Sequence, residues 1–576
     1  MLDLVIRGGT VLDGTGAPAR PADVGVADGR VTTVGEVDEP AARTLVADGL
    51  CVAPGFVDLH THYDAQLLWD GDASPSPLHG VTTVIGGNCG FSLAPAGPDD
   101  AVYLTRMMAK VEGMSKRALE AGLDWEWRSF GDFLARLEGR LGVNAGFLVG
   151  HSTIRRSVMG DDAVRREATG DEVAAMVAAL QRALGEGGLG LSTSTVHTHH
   201  DGDMEPVPSR SASRTELESL AAALADHPGT TLEMILQGCL TGFSPEEEDL
   251  MASLSAKADR PLNWNVLGVP AYVPGRIEHQ LHASDVAAER GATVVALTLM
   301  QVMPVRITFA GGSLLEGLPG WREFLSQDED EILAGLADPE VRRRLEEGAA
   351  SDGAGILRAR VANWPELTVE ETFTPAAAPF EGRKVGDVAA EQGRSPFDTL
   401  VDIVVADRLR TGLRAPTPES DGDWVAGREV WRHPRAVLGG SDAGAHLDLL
   451  VGAVYSTAFL EGAVRKRGLI SWEEAVALLA DRPARLYGLK DRGRLVEGYA
   501  ADVVVFDPET VGPGTEHTRS DLPAGQPRLY AGARGIEHVL VGGTEVVTAG
   551  EFTGERPGRV LRSGRDTTTV RAGAPW

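Results

Sequence analysis

Between residues 54 and 489 short apolar runs of strand character recur, and helical patterns fill the intervals between them. The runs fall at 81–85, 145–149, 189–192, 231–235, 262–266, 293–297 and 436–440, and apolar residues at helical spacing over 172–184 mark a helix between two of them. Repeated βα alternation over this length predicts an α/β fold, a (β/α)8 TIM-like barrel whose functional side chains stand at the C-terminal ends of the strands. The long stretches after Gly90 and between Met303 and Phe380 are then insertions over that face.

The two ends of the chain have a different texture. Residues 4–9, 10–14, 23–26 and 30–35 alternate β-rich runs with turns, and the same pattern returns at 501–507 and 538–547. Neither end has enough strands for a core of its own, so the economical expectation is one small composite β-sandwich. The expected boundaries are 1–53 and 490–576 for the two parts of the sandwich and 54–489 for the barrel. The Arg-, Gly- and Thr-rich tail beyond Gly554 is expected to be partly mobile.

Three polar constellations fall where barrel strands should end. The first is Pro54-Gly55-Phe56-Val57-Asp58-Leu59-His60-Thr61-His62, in which an apolar strand delivers two histidines. Residues i and i+2 of a strand share a face, so His60 and His62 can converge on one cation while Thr61 points away. The second is Cys89 in Gly86-Gly87-Asn88-Cys89-Gly90, and the third is Asp442 in Gly439-Gly440-Ser441-Asp442. Imidazole, thiolate and carboxylate are ligands of a zinc-like ion, and a catalytic site keeps one position open for water. Asp442 is the candidate general base and a candidate ligand. The alternatives are a helix N-cap for Asp442 and a packed thiol for Cys89. Cys51 and Cys239 sit in apolar surroundings and are expected to be packing residues.

Asp and Glu outnumber Lys and Arg by 83 to 54, a formal charge of -29, which repels a phosphate backbone and argues against nucleic acid as a partner. No basic, apolar leader and no long apolar span occurs, so no membrane partner and a cytoplasmic location are expected. A homo-oligomer is allowed.

The same motifs, with the opening Ile6-Arg7-Gly8-Gly9-Thr10-Val11-Leu12-Asp13-Gly14, Gly150-His151-Ser152-Thr153-Ile154-Arg155 and the closing Gly493-Arg494-Leu495-Val496-Glu497-Gly498, resemble the amidohydrolase superfamily. Within it the chain resembles the N-acyl-D-amino-acid deacylases (D-aminoacylases). The resemblance implies a metal-bearing barrel with a β-sandwich and hydrolysis of a C–N amide bond. It also implies Cys89 as a metal ligand and Asp442 as general base.

The chain departs from that pattern at two strands that end in histidine in the family. The corresponding stretches, 230–237 and 261–266, contain none. Glu233 and Asn263 or Asn265 are the candidates there, as oxygen ligands or substrate contacts, and Glu233 is equally a candidate for a buried ion pair. Only six lysines occur and none stands at a clear strand end, which argues against a carboxylated lysine. Oxygen donors harden a site, so Mn²⁺ or Mg²⁺ is admitted beside zinc, and one ion is favoured over two. His151 and Arg155 are candidates for binding a substrate carboxylate, or for a structural role. His446, four residues after Asp442, is expected to orient that carboxylate, to touch the substrate, or to lie at the surface. His197, His199 and His200 are expected in a solvated loop. Two competing readings stay open: hydrolysis or deamination at another bond, such as a cyclic amide or carbamate, and a catalytically silent scaffold.

Overall fold

The computed structural model describes residues 1–268, 275–299, 304–310, 314–417 and 420–575, without the side chain of residue 356. The barrel strands are β1 (Phe56–Asp58), β2 (Val81–Gly86), β3 (Asn144–Phe147, continued as Val149–Gly150), β4 (Gly190–Ser194), β5 (Thr231–Ile235), β6 (Leu262–Leu267), β7 (Val294–Thr298) and β8 (Ala436–Leu438). Neighbours pair in parallel from β1 through β8. The ring closes beyond the strand ends, where Asp442 N donates to His60 O at 3.0 Å and His62 N to Ala443 O at 2.7 Å. Closure therefore runs through the residues expected to carry the chemistry. Most strand positions are buried on both faces, which is why these segments read as continuous apolar runs rather than alternating ones.

The terminal segments form a β-domain built around one nine-stranded sheet, with two small two-stranded sheets beside it in sequence. Its seam is Cys51–Pro54, which pairs in parallel with Leu2–Val11 and antiparallel with Val503–Phe506. On one face Leu4, Ile6, Val24, Val52, Val503, Val505 and Leu540 make a separate core. On the other, Val504, Phe506, Val539 and Val547 merge with the barrel's main core. Only Gly55 separates the seam strand from β1, so the strand that delivers the histidines is clamped at its root.

Two insertions cover the C-terminal end of the barrel. The one after Gly90 contains helices Ala101–Val111, Lys116–Gly122 and Phe130–Leu137. The other begins at Met303, outside the described residues, and lies between β7 and β8. It has its own core, in which Trp364 lies 5.8 Å from Trp321 and 5.3 Å from Phe397 between ring centroids. A three-stranded antiparallel sheet of Arg306–Ile307, Thr368–Glu371 and Gly412–Arg414 anchors it.

The tail beyond Gly554 differs from its expected mobility. It straps the barrel, with Gly558 N donating to Leu141 O at 2.8 Å, Leu561 N to Ala145 O at 2.8 Å and Thr568 N to Gly488 O at 2.7 Å. Val560 and Leu561 are buried. The polar composition of this segment satisfies backbone groups of other elements rather than solvent. No helix among the described residues is long and apolar enough to cross a membrane.

Candidate active site

Asp58, His60 and His62 follow one another at alternate positions along the extended chain, and all three are buried. Asp58 Oδ1 accepts from Ser441 N at 3.1 Å and from His60 N at 3.4 Å, which ties the Asp442 turn to β1. Thr61 points away, and its hydroxyl donates to Ile85 O at 2.8 Å. After β2 the chain turns sharply at Gly87, where φ is +73° and a Cβ would stand 2.1 Å from Leu148 O, so only glycine fits. Cys89, Asp442 and His446 have φ of 55°, 58° and 50°. A non-glycine residue pays for that left-handed conformation in steric energy, and three of them gathered at one mouth mark a functional site.

Four donor atoms converge. Cys89 Sγ lies 3.5 Å from His60 Nε2, and Asp442 Oδ1 lies 3.7 Å from His60 Nε2 and 3.1 Å from His62 Nε2. The ligand atoms of His60, His62 and Cys89 all lie within 4.8 Å of one another. Tetrahedral zinc, with bonds of ~2.05 Å to nitrogen or oxygen and ~2.3 Å to sulfur, would hold such donors about 3.3 Å and about 3.6 Å apart. The donor set therefore fits a zinc-like ion in both chemistry and spacing.

The electrostatics suit a cation. Burial, helped by His62, pushes the His60 imidazole down to about 3, so it offers a neutral ring. Burial alone would also lower His62, but the carboxylates of Glu112 and Asp442 raise it to about 9. Asp442 goes the other way: burial would raise it, and the hydrogen bond and charge of His62 hold it well below the usual carboxylate range. Burial and the neighbouring Glu233 push the Cys89 thiol up. A cation is needed to make that sulfur a thiolate ligand.

At β5 and β6, Glu233 Oε2 accepts from Cys89 N at 2.8 Å, and Oε1 accepts from the Asn265 amide. Asn265 Nδ2 stands 3.6 Å from Cys89 Sγ. Burial pushes the Glu233 carboxyl up to about 8. Asn265, not Asn263, is thus the β6 residue at the site. Asn263 lies deeper, where its Oδ1 accepts from Tyr487 OH at 3.1 Å; this corrects its expected substrate contact.

Of the two roles expected for His151 and Arg155, the geometry favours the structural one over the substrate contact. Both side chains are fully buried against Glu216, with His151 Nε2 2.8 Å from Glu216 Oε1 and the Arg155 guanidinium on Glu216 Oε2. His151 Nδ1 meets Thr193 Oγ1 at 2.9 Å, and Arg155 Nε donates to Ala163 O at 2.9 Å. Internal partners occupy the donors that a substrate carboxylate would need. His446 does reach the mouth, its Nε2 3.9 Å from Asp442 Oδ2.

One further side chain at the site goes unmarked in the sequence. Glu112, at the end of helix Ala101–Val111, places Oε1 3.4 Å from His62 Nδ1. Nothing local marks it, because only the folding of the insertion brings it there. His199 is not a solvated loop residue: its ring lies 5.3 Å from that of Phe91 and its Nδ1 2.8 Å from Ser194 Oγ. Burial, followed by the charges of His62 and His446, lowers it to about 3. Asp58 did carry a signal, since it shares the parity of the two histidines.

The Amidohydrolase family model matches residues 44–547. A D-aminoacylase of Alcaligenes xylosoxydans xylosoxydans is 29% identical over 97% of this chain and 97% of its own length. An N-acyl-D-glutamate deacylase of the same organism is 30% identical over 100% of this chain and 98% of its own. Among solved structures, the N-acyl-D-glutamate deacylase of Bordetella bronchiseptica, complexed with zinc and a phosphonate inhibitor, superposes with a TM-score of 0.64 at 26% identity, covering 98% of this chain and 100% of that one. A D-aminoacylase described with a binuclear metal centre gives 0.64 at 27% identity, with the same coverage.

Proposed function

Because the chain belongs to the amidohydrolase family, we propose that it hydrolyses the amide bond of an N-acyl-D-amino acid, with His60, His62, Cys89 and Asp442 holding one divalent ion and Asp442 acting as general base. The observation that carries this reading is the convergence of two imidazoles, a thiol and a carboxylate at a barrel mouth. When bound there, such an ion supplies Lewis-acid polarisation of a carbonyl and a lowered pKa for water.

The protein's own groups do the rest. Asp442 stays ionised, and its side chain is 32% exposed, so one oxygen can face the ion while the other takes a proton from an incoming water. The same carboxyl then gives that proton to the leaving amine, the two-way duty of a general acid–base group. Glu112 stands 3.4 Å from the His62 Nδ1 and leaves Nε2 for the centre, the place that carboxylates take behind metal-binding histidines. The Glu233–Asn265 pair stands where the family resemblance expects imidazoles, and its oxygen character favours zinc, manganese or magnesium in one site over a second soft site. The expected substrate is a small-molecule amide and the expected compartment the cytoplasm.

The test is metal content by mass spectrometry on protein purified without added metal, wild type against His62→Ala. It is paired with hydrolysis of N-acetyl-D- and N-acetyl-L-amino acids. About one ion per chain, lost in the variant, and turnover abolished in folded Asp442→Asn are expected. Absence of metal together with absence of turnover after zinc or manganese is added would overturn the reading.

A further inference from the structure

One hairpin of the C-terminal part of the β-domain, His517–Leu522 with Gln526–Tyr530, stands apart from the nine-stranded sheet and meets the loops that follow β1 and β8. It carries Arg528, a buried cation with no part in the proposed reaction. The guanidinium is held on its own hairpin by Asp521, whose two oxygens accept from Nε at 2.7 Å and from Nη2 at 2.9 Å. It also lies over the Tyr530 ring, 5.1 Å from the centroid. Its remaining reach goes to Ser74, where Nη1 donates to the carbonyl and Nη2 to Oγ, both at 2.8 Å. A planar fork with four such bonds has one orientation, so Ser74 is fixed relative to the hairpin.

Ser74 is tied in turn to the chain that leaves His62. Gln66 Nε2 donates to the same Ser74 carbonyl at 2.8 Å, and Tyr63 OH lies 2.8 Å from Ser76 Oγ. Tyr63 and Gln66 are both buried. The residue next to Arg528 grips the other half of the centre: Leu529 N donates at 2.7 Å to the carbonyl of Leu447, in the loop that runs on from Asp442 and His446. The two held segments press on each other without slack. His62 N donates to Ala443 O at 2.7 Å, and a Cβ on Gly444, where φ is +94°, would stand 2.6 Å from His62 O. Between Gln66, Gly444, Leu447 and Arg528 only a hole of about 10 Å³ remains, no more than one water fills.

We infer that Arg528 is a positioning residue for the candidate centre: through Ser74 it sets the segment after His62 against the turn that carries Asp442. The inference rests on the metal-centre reading and adds to it a part of the chain outside the barrel. Ligand spacing is then held by the β-domain as well as by the strands. A support of this kind acts on the geometry of the ligands and not on the substrate, so its loss lowers metal affinity and kcat and leaves KM little changed.

The experiment uses the full chain and Arg528→Lys, which keeps the charge and most of the bulk but cannot reproduce the fork. Zinc affinity is read by competition with a chromophoric chelator, kcat and KM on N-acetyl-D-amino acids, and the freedom of residues 63–67 and 443–449 by hydrogen exchange. Thr518→Val is the control in the same hairpin. It removes a hydroxyl that bonds Glu371 Oε2 at 2.7 Å and touches neither Ser74 nor Leu447. Arg528→Lys is expected to weaken zinc binding and to lower kcat by about 10-fold each, with faster exchange in both segments, while Thr518→Val keeps wild-type affinity. Wild-type affinity and exchange in Arg528→Lys would overturn the inference. So would an equal loss of affinity in Thr518→Val, which would make the effect one of general stability. If the wild type binds no zinc, the proposed function falls, and loosened exchange in Arg528→Lys alone would still keep the coupling of the two segments. Should Arg528→Lys not fold, Asp521→Asn, at the partner whose side chain is 26% exposed, decides by the same readings: a loss in the same direction supports the inference and unchanged affinity sinks it.

Discussion

Glu112 Oε1 lies 3.4 Å from His62 Nδ1, on the far side of the ring from Asp442, whose Oδ1 is 3.1 Å from Nε2. The imidazole thus lies between two carboxylates from different elements, and the charge of Glu112 reaches it from the side away from the centre.

Glu112→Gln should therefore weaken metal binding by about 10- to 100-fold without unfolding the chain, the usual cost of losing a carboxylate behind a ligating histidine. Competition with a chromophoric chelator measures it. Unchanged affinity would show that the insertion helix does not tune the centre.

The Glu233–Asn265 pair sets how many soft donors face Cys89. The double change Glu233→His with Asn265→His should raise zinc content from about one to about two ions per chain, since it completes a second set of imidazole and thiolate ligands. Glu233→Gln alone should leave it near one. Mass spectrometry of the purified variants reads both.

The His151–Glu216–Arg155 cluster holds helices and loops behind β3 and β4, with every member buried. Removing the carboxylate strands a buried guanidinium, so Glu216→Ala should cost about 3–5 kcal/mol of stability. Chemical denaturation of the purified variant checks this. In any fraction that remains folded, KM should be unaltered, whereas a substrate-binding role would raise it.

His79 supplies a pH prediction. Burial lowers its imidazole from 6.5 to about 4 in the folded chain. A histidine kept neutral by folding causes no penalty above its unfolded value near 6.5. As pH falls from about 6.5 to about 4, the unfolded chain binds the proton first and stability drops, by on the order of 3 kcal/mol in all. His79→Gln should flatten that slope by one proton. Melting temperatures measured between pH 4.5 and 7.5 decide it, and parallel curves for variant and wild type would remove His79 from the account.

The tail makes a last prediction. A chain ending at residue 554 loses the bonds to Leu141, Ala145 and Gly488. It also exposes the apolar surface that Val560 and Leu561 cover. Leu561→Ala, a milder probe, should cost about 2–5 kcal/mol, as buried leucines do. Thermal unfolding of both variants measures the strap; an unshifted transition would mean that it is held without holding anything.

Much of this protein is written locally. Parallel strands buried on both faces must be apolar throughout, so the runs at 81–85, 231–235 and 262–266 are readable by eye. The two-residue period of a strand places Asp58, His60 and His62 on one side wherever that strand ends up. The glycines before Cys89 and Asp442 mark sharp turns at strand ends for the same local reason, the backbone's need for positive φ.

Other features depend on distance in space and leave no trace in a window of residues. Asn263 and Asn265 have the same parity, and only the depth of each along β6 sends one to Tyr487 and the other to Cys89. Whether Arg155 binds a substrate or plays a structural part stays open in the sequence until Glu216, from another helix, folds against it. Glu112 and His199 arrive on segments whose path is set by packing, not by their own patterns. Which strands form, and which side chains they carry to the barrel mouth, is set within short windows of the chain, because periodicity and turn chemistry act over a few residues. Tertiary structure alone decided which polar groups find internal partners and which stay open to a ligand, because burial and pairing are properties of the assembled chain.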